Sequence, residues 1–204
     1  MRRILVALAL IALAALAIAA CGGGSGDETA ITETIETAAT TADPGNCTEL
    51  QTLRFNEQNS ATEGKGATRA CEEEARRNHA EVAEAVTVSN ISVEGEDATA
   101  EVELEGGALN SQTIEMALVE EGGDWKLDQI EGFASYDGEA LAEAFEKVYE
   151  EEARGLSKEQ ISCIGGRIGE LNQEGAEVMF LSGSPAGAIA LAKSCGRQDR
   201  QVIH

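Results

Sequence analysis

Between residues 97 and 105 the chain alternates without a break. Ala98, Ala100, Val102 and Leu104 fall on one parity, and Thr99, Glu101, Glu103 and Glu105 on the other. A side-chain period of two is that of a strand with one face in a core and the other in water. The flanking segments continue the pattern. Val86 to Val93 is rich in β-branched residues, Ile114, Met116 and Leu118 mark a third strand, and Trp125, Leu127 and Ile130 a fourth. Gly95-Glu96-Asp97, Gly106-Gly107 and Gly122-Gly123 supply the turns between them. Short strands joined in sequence by tight turns form an antiparallel meander.

Ahead of the strands the period is helical. Asp27 to Ala42 places Ile31 and Ile35 one turn apart, and Asp43-Pro44-Gly45-Asn46 ends that helix. A second helical stretch runs through Leu50, Leu53 and Phe55. After Glu63-Gly64-Lys65-Gly66, a third spans about residues 67–83 and carries Cys71. Helices followed by a meander give an α+β fold, with helices packed on one face of a curved sheet.

The tail differs in character. Asp137 caps a helix with the apolar stripe Leu141, Phe145, Val148 and Tyr149, ending near Gly155. Ser157-Lys158-Glu159-Gln160 fits a capping box, and Ile161, Ile164, Ile168 and Leu171 follow at helical spacing. A glycine-punctuated stretch with Val178, Phe180 and Leu181 leads to Ser184-Pro185, which starts a last helix carrying Ile189, Leu191 and Cys195. Residues 27–134 thus form one unit and residues 137–204 a small all-α module. Helices this short bury little alone, so the module needs a staple and contact with the first unit.

The N-terminus has the three parts of an export signal. Arg2 and Arg3 are basic, Ile4 to Ala20 is apolar and uncharged, and Ile18-Ala19-Ala20-Cys21 resembles a bacterial lipobox. The resemblance implies a signal peptide over residues 1–20. It also implies diacylglycerol on Cys21, and a Gly/Ser tether over residues 21–26 that holds the domain off the membrane on its extracytoplasmic side. The apolar run is at the lower limit for spanning a bilayer and is rich in alanine, which disfavours a transmembrane helix.

Of five cysteines, Cys21 is taken by lipid, leaving Cys47, Cys71, Cys163 and Cys195. An even set in an oxidising compartment reads as disulfides. Four cysteines allow three connectivities. The local pairs Cys47–Cys71 and Cys163–Cys195 are favoured, because each falls within one compositional unit. No CxxC or Cys/His cluster exists, and the only histidines are His79 and His204, so neither a metal site nor a cofactor is expected.

Charge narrows the partners. The chain carries 15 basic and 37 acidic residues, a net −22, and loses two further positive charges with the leader. Such a surface repels phosphate backbones and anionic lipid, which excludes nucleic acid as a partner.

Helix, Asp43-Pro44, Cys47-Thr48-Glu49-Leu50, Thr52, Phe55, Cys71-Glu72-Glu73 and the run to Trp125-Lys126-Leu127-Asp128 together resemble NTF2-like (SnoaL-like) domains of bacterial lipoproteins, over about residues 27 to 134. The resemblance implies a cone in which a bent sheet and three helices enclose a pocket. NTF2-like domains include isomerases, dehydratases, ligand carriers and structural modules, so fold does not select function. The tail resembles, more loosely, cysteine-stapled helical modules appended to bacterial surface proteins.

The acidic, histidine and tyrosine residues that could serve catalysis in such a cone are poorly placed for it. Asp128 faces opposite to Trp125 and Leu127, and Glu101, Glu103 and Glu105 opposite to the alanine and valine positions. His79 lies in the charged stretch Arg76-Arg77-Asn78-His79, and Tyr136 reads as packing. Adjacent glutamates on the strand lie about 7 Å apart, too far to chelate one calcium unaided. The sequons at Asn46 and Asn90 carry no meaning in a bacterial lipoprotein. The expected function is therefore a non-catalytic, lipid-anchored envelope protein that binds a small apolar ligand or another envelope protein. An isomerase or hydrolase working inside the cone is the alternative.

Overall fold

In the computed structural model, which describes residues 25–77, 79–151, 155–184 and 186–196, the alternating segments pair as one four-stranded antiparallel sheet in sequence order. Its strands are β1 (Ala85–Glu94), β2 (Asp97–Glu105), β3 (Thr113–Glu121) and β4 (Asp124–Ser135). Gly122 and Gly123 between β3 and β4 have φ of 70° and 96°. A two-residue turn with both centres left-handed matches the twist of its strands, and glycine adopts it freely. The register sets Val102 opposite Ile114 and Ala100 opposite Met116. A slip of one residue would turn that whole apolar set to water. β1 departs from regularity once, at a bulge between Ser89 and Ser92 where Asn90 has φ 52°.

Among the described residues four helices precede the sheet: α1 (Ser25–Thr40), α2 (Asn46–Glu49), α3 (Leu53–Ser60) and α4 (Lys65–Ala75). α1 presses Ile31 and Ile35, 0 % and 1 % exposed, into the core. Ser25 and Gly26, expected in the tether, belong to α1; Cys21 and the leader lie outside the described residues. The expected second helix is divided in two. Leu127 donates its N–H to Leu50 O, and Thr52 donates its N–H to Leu127 O, both at 2.9 Å. Gln51 thus bridges to β4 in parallel fashion. Strand-type pairing takes these backbone groups, and Thr52 then N-caps α3 by accepting from the Phe55 N–H.

α4 ends at Ala75 rather than near residue 83. The backbone beyond it is engaged elsewhere: Ala83 N–H donates to Ala39 O, Glu84 N–H to Glu105 O, and Glu81 O accepts from Ala108 N–H. A Cβ at Gly107 would stand 2.5 Å from the carbonyl oxygens of Glu81 and Val82, so only glycine fits this crossing.

After the sheet come α5 (Gly138–Glu151), α6 (Lys158–Gly169), α7 (Gln173–Phe180) and α8 (Ala186–Gly196). The stretch holding Val178 and Phe180 is a helix, N-capped by Asn172. These helices share the sheet's core. Ala176, fully buried, sits in the main apolar cluster, while Leu109, Tyr136 and Phe180 touch both that cluster and a second one around Leu141, Ile164, Ile168 and Cys195. Among the described residues no helix is long and apolar enough to cross a membrane.

The outer edge of β4 is closed by side chains as well as by Gln51. The Gln58 amide donates to Ile130 O (2.8 Å) and accepts from Ile130 N–H (2.9 Å). Gln173 donates to Phe133 O (2.7 Å), and Glu177 accepts from Phe133 N–H (3.2 Å).

Candidate functional site

The helix-facing side of the sheet is where a cone would hold a ligand, and its own side chains occupy it. Val102, Leu118, Ile31 and Ile35 are each at most 2 % exposed, and Trp125, Ile130 and Phe133 complete the layer. These side chains pack together as one apolar cluster. Among the described residues the buried polar ones are Asn46, Thr52, Asn56 and Gln112, none of them ionisable. Gln112 donates to Asp137 O (3.0 Å) and Asn110 O (3.1 Å) and accepts from the Asp137 N–H (3.0 Å). It ties the β2–β3 loop to the start of α5. Asn56 donates to Cys47 O at 2.7 Å, and its Oδ1 accepts nothing from the described residues.

The residues singled out by sequence are scattered. Asp128 faces away from the core, accepts from the Thr52 hydroxyl at 2.9 Å and pairs with Arg54 at 2.7 Å. Arg54 also donates to Gln129. This arrangement holds α3 on β4. Glu103 and Glu105 are exposed and Glu101 half-buried. Glu101 stands directly opposite Glu115 on β3. His79 is exposed. Tyr136 donates to Leu171 O and packs on Phe133 with ring centroids 5.2 Å apart. Burial first, and the charge of Asp137 second, push its phenol above the ordinary value. Asn46, in the first sequon, is buried and donates to Thr41, so no glycan fits there; Asn90 is exposed in the bulge.

Both expected disulfides are present. Cys47–Cys71 joins α2 to α4 and Cys163–Cys195 joins α6 to α8, with Cα separations of 6.0 and 5.8 Å.

A concave feature among the described residues lies outside the core. An open groove of about 460 Å³ runs between α5 and α6, with Glu139, Glu143, Glu146 and Glu170 above Gly165, Gly166 and Gly169. Glutamates at i, i+4 and i+7 share one face of α5. That spacing was legible in the sequence, whereas its alignment with the glycines of α6 required the packing of the two helices. Glu146 lies over Gly165, where a Cβ would meet its carboxylate at 2.3 Å. Among the described residues no group of three or more His, Cys, Asp or Glu has metal-binding geometry.

Comparison with protein-family models, with curated proteins and with solved structures finds no match to this chain.

Proposed function

We propose that the chain is a lipid-anchored extracytoplasmic envelope protein, held by acyl chains on Cys21, which acts by binding another envelope protein and not by catalysis. On this reading residues 27–134 are an NTF2-like cone with a filled interior, and the helices after it form the appended module. The filled interior carries the proposal: the side chains of α1 and the sheet stand where a carrier or an enzyme of this type would hold its ligand. Recognition then falls to the outer surface, which is strongly acidic and suits a basic protein partner. The two disulfides support an oxidising compartment.

Fractionation and mass spectrometry of the expressed protein test this. A membrane-bound product beginning at diacylglyceryl-Cys21, and released when Cys21→Ala is introduced, is expected. Native mass spectrometry should give the mass of the protein alone. A stoichiometric small molecule lost on denaturation would sink the interaction reading in favour of a carrier or an enzyme.

A further inference from the structure

The two edges of the sheet are treated unequally. Along β4, the backbone at Leu127, Ile130 and Phe133 is met by Leu50 and Thr52, by the Gln58 amide, and by Gln173 with Glu177. Along β1, no described residue outside the sheet donates to or accepts from the backbone of Ala85–Glu94, and none of its residues is buried. The outward N–H and C=O groups of such a strand are a template for another one. Proteins blunt open edges with lysine, proline or inward charges. Ala85–Val93 has no charged residue and no proline, in a chain that is 25 % charged. The bulge at Asn90 confines the regular template to Ala85–Ser89.

Charge selects the occupant. On the water-facing side Thr87 and Ser89 are paired with Glu103 and Glu101 of β2, and Glu101 in turn with Glu115. None of these glutamates has a cationic partner among the described residues. Like charges directly opposed in a ladder are destabilising. Thr87 and Ser89 are short and exposed, so a longer side chain on an added strand can reach past them to Glu103 and the half-buried Glu101. A strand added at β1 would lie about 10 Å from β2, a gap that an extended lysine and a glutamate span together. A second copy of this chain would bring only threonine and serine to those places, together with its own large excess of negative charge.

We propose that the open edge of β1 takes up, by strand addition, an extended segment of a basic partner in which Lys or Arg alternates with apolar residues. The cations meet Glu101 and Glu103, and the apolar residues lie beside the half-buried Val86 and Val88. This assignment rests on the protein-interaction reading above and adds its surface and partner class.

The test is titration of the full-length protein in detergent with an acetylated peptide alternating valine and lysine. Fluorescence anisotropy reports affinity, and amide exchange reports location. Saturable binding with slowed exchange over Ala85–Ser89 is expected, at least about tenfold tighter than for the valine–glutamate peptide. Glu101→Gln with Glu103→Gln should weaken the lysine peptide about tenfold. Thr87→Lys with Ser89→Lys, at two exposed positions, should abolish binding while leaving the circular dichroism unchanged, because the new lysines occupy the carboxylates. Binding that leaves β1 unprotected, or that survives either double variant, overturns the proposal. A dimer seen without peptide and lost in Thr87→Lys/Ser89→Lys would make a second copy the occupant, which also overturns it. Lipidation at Cys21 is read by mass separately, so a soluble, unmodified protein defeats the envelope reading without deciding this one.

Discussion

Gln112 has no exposed surface, and its side chain makes three hydrogen bonds to backbone groups, two of them exchanged with Asp137. Removing one partner from a buried set leaves the others unsatisfied. Gln112→Ala should therefore destabilise the protein by about 2–4 kcal/mol, measured by urea unfolding with the disulfides intact. Nothing in the sequence marks this glutamine, since glutamine is ordinarily a surface residue. Tyr136 gives a pH-dependent counterpart. Burial, then Asp137, holds its phenol neutral beyond the ordinary 10.0. The unfolded chain ionises first, so this contribution to stability is intact below pH about 10 and is lost as pH rises through the folded value. Absorbance titration at alkaline pH should show a late-ionising phenol that is missing in Tyr136→Phe, whose stability should fall less steeply above that pH.

At the scale of elements, start signals were the most legible. The capping box at Ser157 is formed in both directions, with Ser157 accepting from Gln160 N–H and Gln160 accepting from Ser157 N–H. The Glu159 carboxyl, in the first turn of α6, is held below its usual range by its own backbone N–H first and by the Ser157 hydroxyl second. Ser157→Ala should cost about 1 kcal/mol by thermal unfolding. The same substitution should shift the Glu159 titration back toward the ordinary carboxylate range, read by NMR. Asp137 likewise caps α5, accepting from Glu139 and Ala140 N–H at 3.0 Å. Element ends were less legible. The division between α2 and α3 and the early end of α4 come from hydrogen bonds to residues more than 20 positions away along the chain, at Leu127, Ala39, Glu105 and the β2–β3 loop. A local pattern carries no information about such partners.

Across the whole molecule, the disulfides and the shared core hold the C-terminal helices in place. Cys163 and Cys195 are 32 residues apart, and closing that loop contributes roughly 3–4 kcal/mol on the chain-entropy model. α8 has Cys195 as its one buried residue among those described, while Ile189 is 46 % exposed. Replacing both cysteines by serine should thus lower thermal stability and release amide protection in α8 first. Amides of β2 and β3, at the centre of the sheet, should keep theirs. Loss of protection throughout the sheet would mean that the bridge supports the entire fold.

The alternation of β2 to β4, the cysteine set and the caps of α5 and α6 were determined by the sequence alone, because each depends on neighbours within a few residues or on simple parity. The pairing of cysteines was a preference among three until the helices were placed. Three features were decided by tertiary structure: side chains filling the helix-facing layer, the closing of the β4 edge by Gln58, Gln173 and Glu177, and the open edge left at β1. All depend on which distant backbone groups come to lie within hydrogen-bonding or packing distance, and long-range contact of that kind has no local period to betray it.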